Sequence, residues 1–96
     1  MVYLQASLKL HPGKQQDFIN LINTLMPLVN KHGWKLMGSY AAIVGRLNTV
    51  VDFWEVPNPN AVEALLADPQ FAKYAPTIHE IVEDETLTIL TKLPIG

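Results

Sequence analysis

Three polar residues on otherwise apolar stretches could do acid–base chemistry: Tyr40, His79 and Glu55. A histidine can move protons near neutral pH, and a tyrosine can donate a hydrogen bond to a developing oxyanion. These three residues are therefore the candidate catalytic residues. The alternatives are structural. Tyr40 could be a core aromatic, His79 could pair with Glu83 one helical turn later, and Glu55 could be a solvated carboxylate at a strand end.

Four further residues could contact a ligand: Leu36, Gly38, Phe53 and His32. Leu36 and Phe53 would supply apolar walls. Gly38, with the small residue Ala6 nearby, would leave a cavity between the sheet and the helices. His32 lies at the end of a predicted helix, where capping and packing are the alternative to ligand binding.

Asp52 and Trp54 are predicted to lie on the face of the sheet that the helices do not cover, which makes them candidate dimer-interface residues. An aromatic such as Trp54 is a typical interface anchor. Asp52 would need a partner there, because a lone buried carboxylate is costly, and Lys9, Lys35 or Lys92 could supply it. The alternative for Asp52 is a catalytic base.

Several chemistries have no support in the sequence. There is no cysteine, which excludes disulfides, thiolate metal sites and a cysteine nucleophile. Neither a dinucleotide-binding nor a P-loop glycine pattern occurs, and the histidines and carboxylates lack recognised metal spacing. We therefore expect no metal and no cofactor. Haem ligation by His32 or His79 stays open.

The composition indicates a single domain, residues 1–96, with more apolar surface than one small core needs. Hydrophobic residues make up 49% and charged residues only 17%, against about 25% charged in typical domains. The net charge is -2 without a basic run, so we expect no nucleic-acid partner. The apolar runs are too short for a membrane span and no signal peptide is recognisable, which predicts a cytoplasmic protein.

The pattern of apolar residues predicts the elements that must position these side chains. Strict alternation over Val2–Leu10 predicts a strand, and helical spacing predicts a helix over 14–32 that ends at Gly33, with Pro27 facing solvent. Alternation from Trp34 to Val44, a turn at 45–48 and a strand Thr49–Val56 follow. The remaining predicted elements are helices at 59–67 and 69–83 and a strand Thr86–Leu93.

The order β-α-β-β-α-α-β predicts an α+β, ferredoxin-like fold, with a four-stranded antiparallel sheet and helices on one face. The residues expected under the helices are Leu4, Ala6, Leu8, Leu36, Gly38, Tyr40, Val51, Phe53, Leu87 and Ile89. The other face would carry Tyr3, Met37, Ile43, Val50, Trp54 and Leu90. This second face is too apolar for open water, so we expect it to pack against a second copy of the chain.

Four motifs carry a resemblance that spans nearly the whole chain. They are HPGK at 11–14, MPLVNKHGWKLMGSY at 26–40, GRLN at 45–48 followed by VVDFW at 50–54, and DPQF at 68–71. With these motifs the chain resembles the NIPSNAP family of the dimeric α+β barrel superfamily. The resemblance implies a ferredoxin-like subunit and a homodimer, or a higher oligomer, in which two sheets close into a barrel.

Related branches of that superfamily include small monooxygenases, polyketide cyclases, lactone isomerases and haem enzymes, and this analogy is one of fold alone. It implies that the protein binds or transforms a small hydrophobic molecule, cyclic or aromatic, as a cofactor-independent monooxygenase, cyclase or isomerase. The alternative is a non-catalytic dimeric module that serves interaction or scaffolding.

Overall fold

The computed structural model describes residues 1–95 and shows four strands and four helices. The strands are β1 (Val2–Leu10), β2 (Lys35–Ala41), β3 (Thr49–Val56) and β4 (Val82–Leu90), and the helices are α1 (Gln15–Lys31), α2 (Pro59–Leu66), α3 (Pro69–Ala72) and α4 (Ala75–Ile81). The sheet is antiparallel with the order β2-β3-β1-β4. The predicted α+β, ferredoxin-like fold is confirmed.

The core lies between one face of the sheet and α1. Alternation along β1 buries Leu4, Ala6, Leu8 and Leu10. They pack against the buried stripe of α1, which consists of Phe18, Leu21, Leu25 and Val29. Pro27 is exposed on the other side of α1, as predicted. Two elements with different periods thus bury matching apolar faces.

The end of α1 is built as the sequence predicts. Gly33 adopts a φ of 82°, the left-handed conformation that glycine takes without a steric penalty. Its N–H donates to the carbonyl of Asn30 at 2.9 Å, and the N–H of Trp34 donates to that of Val29 at 3.3 Å. These two bonds form a Schellman motif, which turns the chain directly into β2.

The predicted helix 69–83 is wrong in its extent. The segment forms two short helices, α3 and α4, and the last strand begins at Val82 rather than Thr86. Pro76 has no N–H to donate to the preceding turn, so α3 cannot continue through it. Asn58 and Asp68 do cap α2 and α3 by accepting hydrogen bonds from the N–H groups of Ala61 and Gln70.

The predicted faces of β2 and β3 are partly wrong. Leu4 pairs with Trp54, and Ala6 pairs with Asp52, so the even-numbered residues of β3 lie under the helices. An irregularity between Leu36 and Gly38 then shifts the register of β2. The residues beyond it change faces, because a bulge adds one residue to one strand only. The loop between the two strands also covers 42–48 rather than a tight turn at 45–48.

We call the two sides of the sheet the covered face and the open face. The covered face includes Leu4, Ala6, Leu8, Leu36, Ser39, Asp52, Trp54, Leu87 and Ile89. The open face includes Tyr3, Met37, Gly38, Tyr40, Val51, Phe53, Glu55 and Leu90. Val50 is buried on the covered face and Ile43 lies in the loop, both contrary to the prediction.

Candidate functional site

A cavity of about 220 Å³ lies between the covered face and the helices. Its walls come from β1, β3, β4 and all four helices, and most of them are apolar. Asp52, His79 and Glu85 are the ionisable side chains that line it. A mostly apolar cavity with a few polar groups is the usual form of a small-molecule site.

The cavity follows from one row of residues across the sheet. Ser39 on β2, Asp52 on β3, Ala6 on β1 and Leu87 on β4 are successive partners. The side chain of Ala6 is only a methyl group, so a space remains between the sheet and the helices at that point. The prediction of a space between sheet and helices fits the structure, but the space lies at Ala6 and not at Gly38.

The cavity opens beside β4, the edge strand. His79 and Glu85, which line it, are both exposed, and Leu87 is 39% exposed. The helices leave this part of the covered face accessible. A small molecule could therefore enter between β4 and α4.

Asp52 is the most buried polar residue of the site, with 2% of its surface exposed. The Ser39 hydroxyl donates a hydrogen bond to Asp52 Oδ1, and no other hydrogen bond reaches this carboxyl from residues 1–95. Burial raises the pKa of Asp52, because it penalises the charged form, and the Ser39 hydrogen bond offsets part of that rise. The buried Asp52 carboxyl can therefore accept further hydrogen bonds.

The predicted lysine partner of Asp52 is wrong. Lys9 instead forms an ion pair with Glu83 at 3.4 Å, and Lys35 pairs across the strands with Glu55 on the open face. Lys9 and Lys35 lie on the open face, as predicted, whereas Asp52 lies on the covered face, so neither lysine can reach it. No motif in the sequence marks Ser39 as functional; the aspartate inside the apolar run VVDFW was the available signal for this contact.

Trp54 lies on the covered face, so its predicted position on the exposed side of the sheet is wrong, as is that of Asp52. Trp54 is 5% exposed and packs edge-on against Trp34, with ring centroids 5.6 Å apart. The indole N–H of Trp34 donates to the carbonyl of Ala61 at 3.1 Å. The two tryptophans therefore fasten α2 to the sheet and form one end of the cavity wall.

Tyr40 and Phe53 lie on the open face, outside the cavity, contrary to the predicted faces. Tyr40 is 62% exposed and contacts Phe53 edge-on at a centroid distance of 6.1 Å. A Cβ atom on Gly38 would lie 2.7 Å from the Tyr40 hydroxyl oxygen. Gly38 therefore makes room for the tyrosine ring rather than for a ligand between sheet and helices.

The three candidate catalytic residues are not brought together. His79 lines the cavity, whereas Tyr40 and Glu55 lie across the sheet on the open face. Leu36 is half-buried beside Trp54 and does not line the cavity. Of the predicted site residues, the cavity thus brings together His79, Asp52 and Trp54.

His32 lies outside the cavity and joins two helices. Its Nε2 atom is 2.8 Å from Asp68 Oδ2, and Asp68 Oδ1 accepts a hydrogen bond from the N–H of Gln70 at 2.8 Å. The hydrogen bond with His32 lowers the pKa of Asp68, and the bond from Gln70 lowers it further. The contact supports the structural alternative for His32, because it ties the end of α1 to the start of α3.

Residues 1–95 contain neither a cluster of metal ligands nor a membrane-spanning helix. No group of three or more histidine, aspartate or glutamate side chains is placed to hold a metal ion in this part of the chain. None of the helices described is long and apolar enough to cross a bilayer.

Comparison with solved structures shows the same fold in several bacterial proteins. An uncharacterized NIPSNAP domain protein from Burkholderia xenovorans matches with a TM-score of 0.83 and 22% identity, covering 100% of this chain and 98% of that one. A NIPSNAP family protein of unknown function from Agrobacterium tumefaciens matches with a TM-score of 0.82 and 19% identity, over 100% and 91% of the two chains. An antibiotic biosynthesis monooxygenase matches with a TM-score of 0.71 and 17% identity, over 98% and 100%.

Sequence comparison gives the family. No curated protein matches the chain. The NIPSNAP family model, however, matches residues 3–96, which is nearly the entire sequence. The chain belongs to the NIPSNAP family.

Proposed function

We propose that the protein binds a small hydrophobic molecule, cyclic or aromatic, in the cavity of the covered face and acts on it by proton transfer. The observation that carries the proposal is the Asp52 carboxyl, which is 2% exposed and lines an otherwise largely apolar cavity. A buried carboxyl with a single hydrogen bond costs folding free energy. Such groups in a cavity are typical of functional sites.

The reaction that these residues support is an isomerisation or a cyclisation. The Asp52 carboxylate accepts a proton from one atom of the ligand and returns it to another, so the step needs no oxidant and no cofactor. His79 at the opening can exchange protons with water. Tyr40 and Glu55 lie on the open face and take no part within one subunit. A cofactor-independent oxygenation is the alternative reaction, by analogy with the structural neighbour named as a monooxygenase.

Native mass spectrometry of protein purified directly from its host tests the binding proposal. We expect an added mass of organic size on the wild type. Ala6→Leu should lose this mass, because the larger side chain fills the cavity, while the matched control Ala41→Leu, at the exposed end of β2, should keep it. An added mass that survives Ala6→Leu in a folded protein would contradict the assignment to this cavity.

A second candidate function, a dimeric interaction or scaffold module, rests on the open face. Met37 is 53% exposed and Tyr40 is 62% exposed, and both lie on the same uncovered surface as Phe53 and Leu90. An apolar surface of this kind favours a protein contact, and a second copy placed face to face would bury it. Sedimentation equilibrium should show a homodimer that Phe53→Asp dissociates. A monomeric wild type would contradict this assembly.

A further inference from the structure

We infer that the ligand of this cavity is a neutral, single-ring molecule with a hydroxyl group that donates a hydrogen bond to Asp52. This inference rests on the proposed function and specifies its substrate class. Four properties of the site support it: its size, the aromatic part of its wall, the hydrogen-bonding state of the carboxyl and its charge.

The size of the cavity selects one ring. A volume of about 220 Å³ falls below the roughly 300 Å³ at which pockets begin to hold drug-sized molecules. An apolar cavity of about 150 Å³ is enough to bind benzene. The space is therefore large enough for one six-membered ring with short substituents.

The wall favours a flat ligand. Phe18, Trp34, Trp54 and Phe71 contribute aromatic surface to the cavity. Aromatic rings pack edge-to-face or with offset stacking, and such pairs gain free energy beyond the area that they bury. Trp54 follows Asp52 by two positions on the same face of β3, so a ring beside Trp54 is also beside the carboxyl.

The carboxyl can accept a hydrogen bond from a ligand. An ionised aspartate accepts hydrogen bonds through both oxygens and donates none. Ser39 occupies one acceptor position on Oδ1, and no residue in the described chain donates to Oδ2. Ser39 is thus a positioning residue, which holds the carboxylate through one oxygen and leaves the other to the ligand.

The charge of the site selects a neutral donor. Of the three ionisable side chains that line the cavity, Asp52 and Glu85 would repel a carboxylate ligand, and the exposed His79 at the opening is the one that could attract it. An ammonium ligand would require a second charge to be desolvated, which often costs more than the ion pair returns. A hydroxyl group avoids both costs and still forms a charge-assisted hydrogen bond.

Calorimetric titration with four probes of similar shape tests the inference: p-cresol, p-xylene, p-toluate and 4-methylbenzylamine. We expect p-cresol to bind about tenfold or more tightly than p-xylene, as a hydrogen bond to a charged group allows. Asp52→Leu should remove this preference while p-xylene still binds. Asp52→Asn keeps the shape and an acceptor oxygen, so it should reduce the preference without abolishing it. Glu55→Gln, on the open face, is the control and should change nothing.

The outcomes separate this inference from the proposed function. Equal affinity for p-cresol and p-xylene would overturn the hydroxyl assignment and leave the cavity as a binding site. Tightest binding of p-toluate or of 4-methylbenzylamine would likewise overturn it in favour of an anionic or a cationic ligand. If no probe binds the folded wild type, both the proposed function and the inference are wrong.

Discussion

The covered and open faces of the sheet carry similar side chains in opposite environments. Each has an aromatic pair, Trp34 with Trp54 on the covered face and Tyr40 with Phe53 on the open face. On β3 each face also has a carboxylate, Asp52 under the helices and Glu55 on the other side. The two aromatic pairs and the two carboxylates differ in how deeply they are buried. The face that a residue occupies therefore decides how a carboxylate can react and how an aromatic side chain packs.

The largest expected difference between the faces is in stability. Trp54→Ala should lower the free energy of unfolding by about 3–5 kcal/mol, because it leaves a hole in a buried wall. Phe53 is already 37% exposed, so Phe53→Ala should lower the free energy of unfolding by only about 1–2 kcal/mol. Urea unfolding of both variants measures the contrast. Equal losses would show that the two faces are equally buried in solution.

The second expected difference between the faces is the effect on stability of neutralising the carboxylates of β3. Asp52→Asn should raise stability at pH 7 by about 1 kcal/mol, because it removes a charge that burial disfavours. Glu55→Gln should stay within about 0.5 kcal/mol of the wild type. Urea unfolding at pH 7 compares the two variants, and a destabilised Asp52→Asn would show that the carboxylate is better satisfied than the structure indicates.

The pH dependence of the Asp52 effect has a defined sign. The folded state holds the Asp52 proton more tightly than the unfolded chain does, because burial raises the pKa of this carboxyl. The contribution of Asp52 to stability therefore falls as the pH rises from the unfolded pKa of about 3.9 through the raised folded pKa, and is constant above it. The stability of Asp52→Asn should lack this fall. Parallel pH profiles for wild type and variant would contradict the assignment.

The helical layer over the covered face should show a pH effect of the opposite sign. His32 lowers the pKa of Asp68, so the Asp68 contribution is present above the unfolded pKa of about 3.9 and is lost as the pH falls through the lowered folded value. Asp68→Asn should remove that acid sensitivity, measured as the thermal midpoint against pH. Asn58→Ala, which removes the cap of α2, is the control, since it should lower the midpoint equally at every pH.

The difference between the faces also explains what the sequence could predict. The alternation of β1, the stripe of α1 and the stop at Gly33 are local signals, and each was predicted correctly. The faces of β2 and β3 depend on pairing between strands. The irregularity near Met37 and the longer loop at 42–48 shift that pairing without changing the local pattern of apolar residues.

The candidate site was predicted incompletely for the same reason. The strand register decides whether Asp52 or Phe53 faces the helices, and the predicted register chose Phe53. His79 lines the cavity, and its place at the edge of the apolar stripe of α4 depends on helical spacing alone. The Ser39–Asp52 contact joins two strands and could only be seen once their pairing was known.

We expect a small ring to bind on the covered face beside Asp52 and not on the open face. Methyl NMR of the wild type during titration with p-cresol tests it directly. The methyl signals of Leu4, Leu8 and Leu87 should shift in a saturable way, while those of Met37, Val51 and Leu90 stay in place. Shifts confined to Met37, Val51 and Leu90 would place binding on the open face and contradict binding beside Asp52.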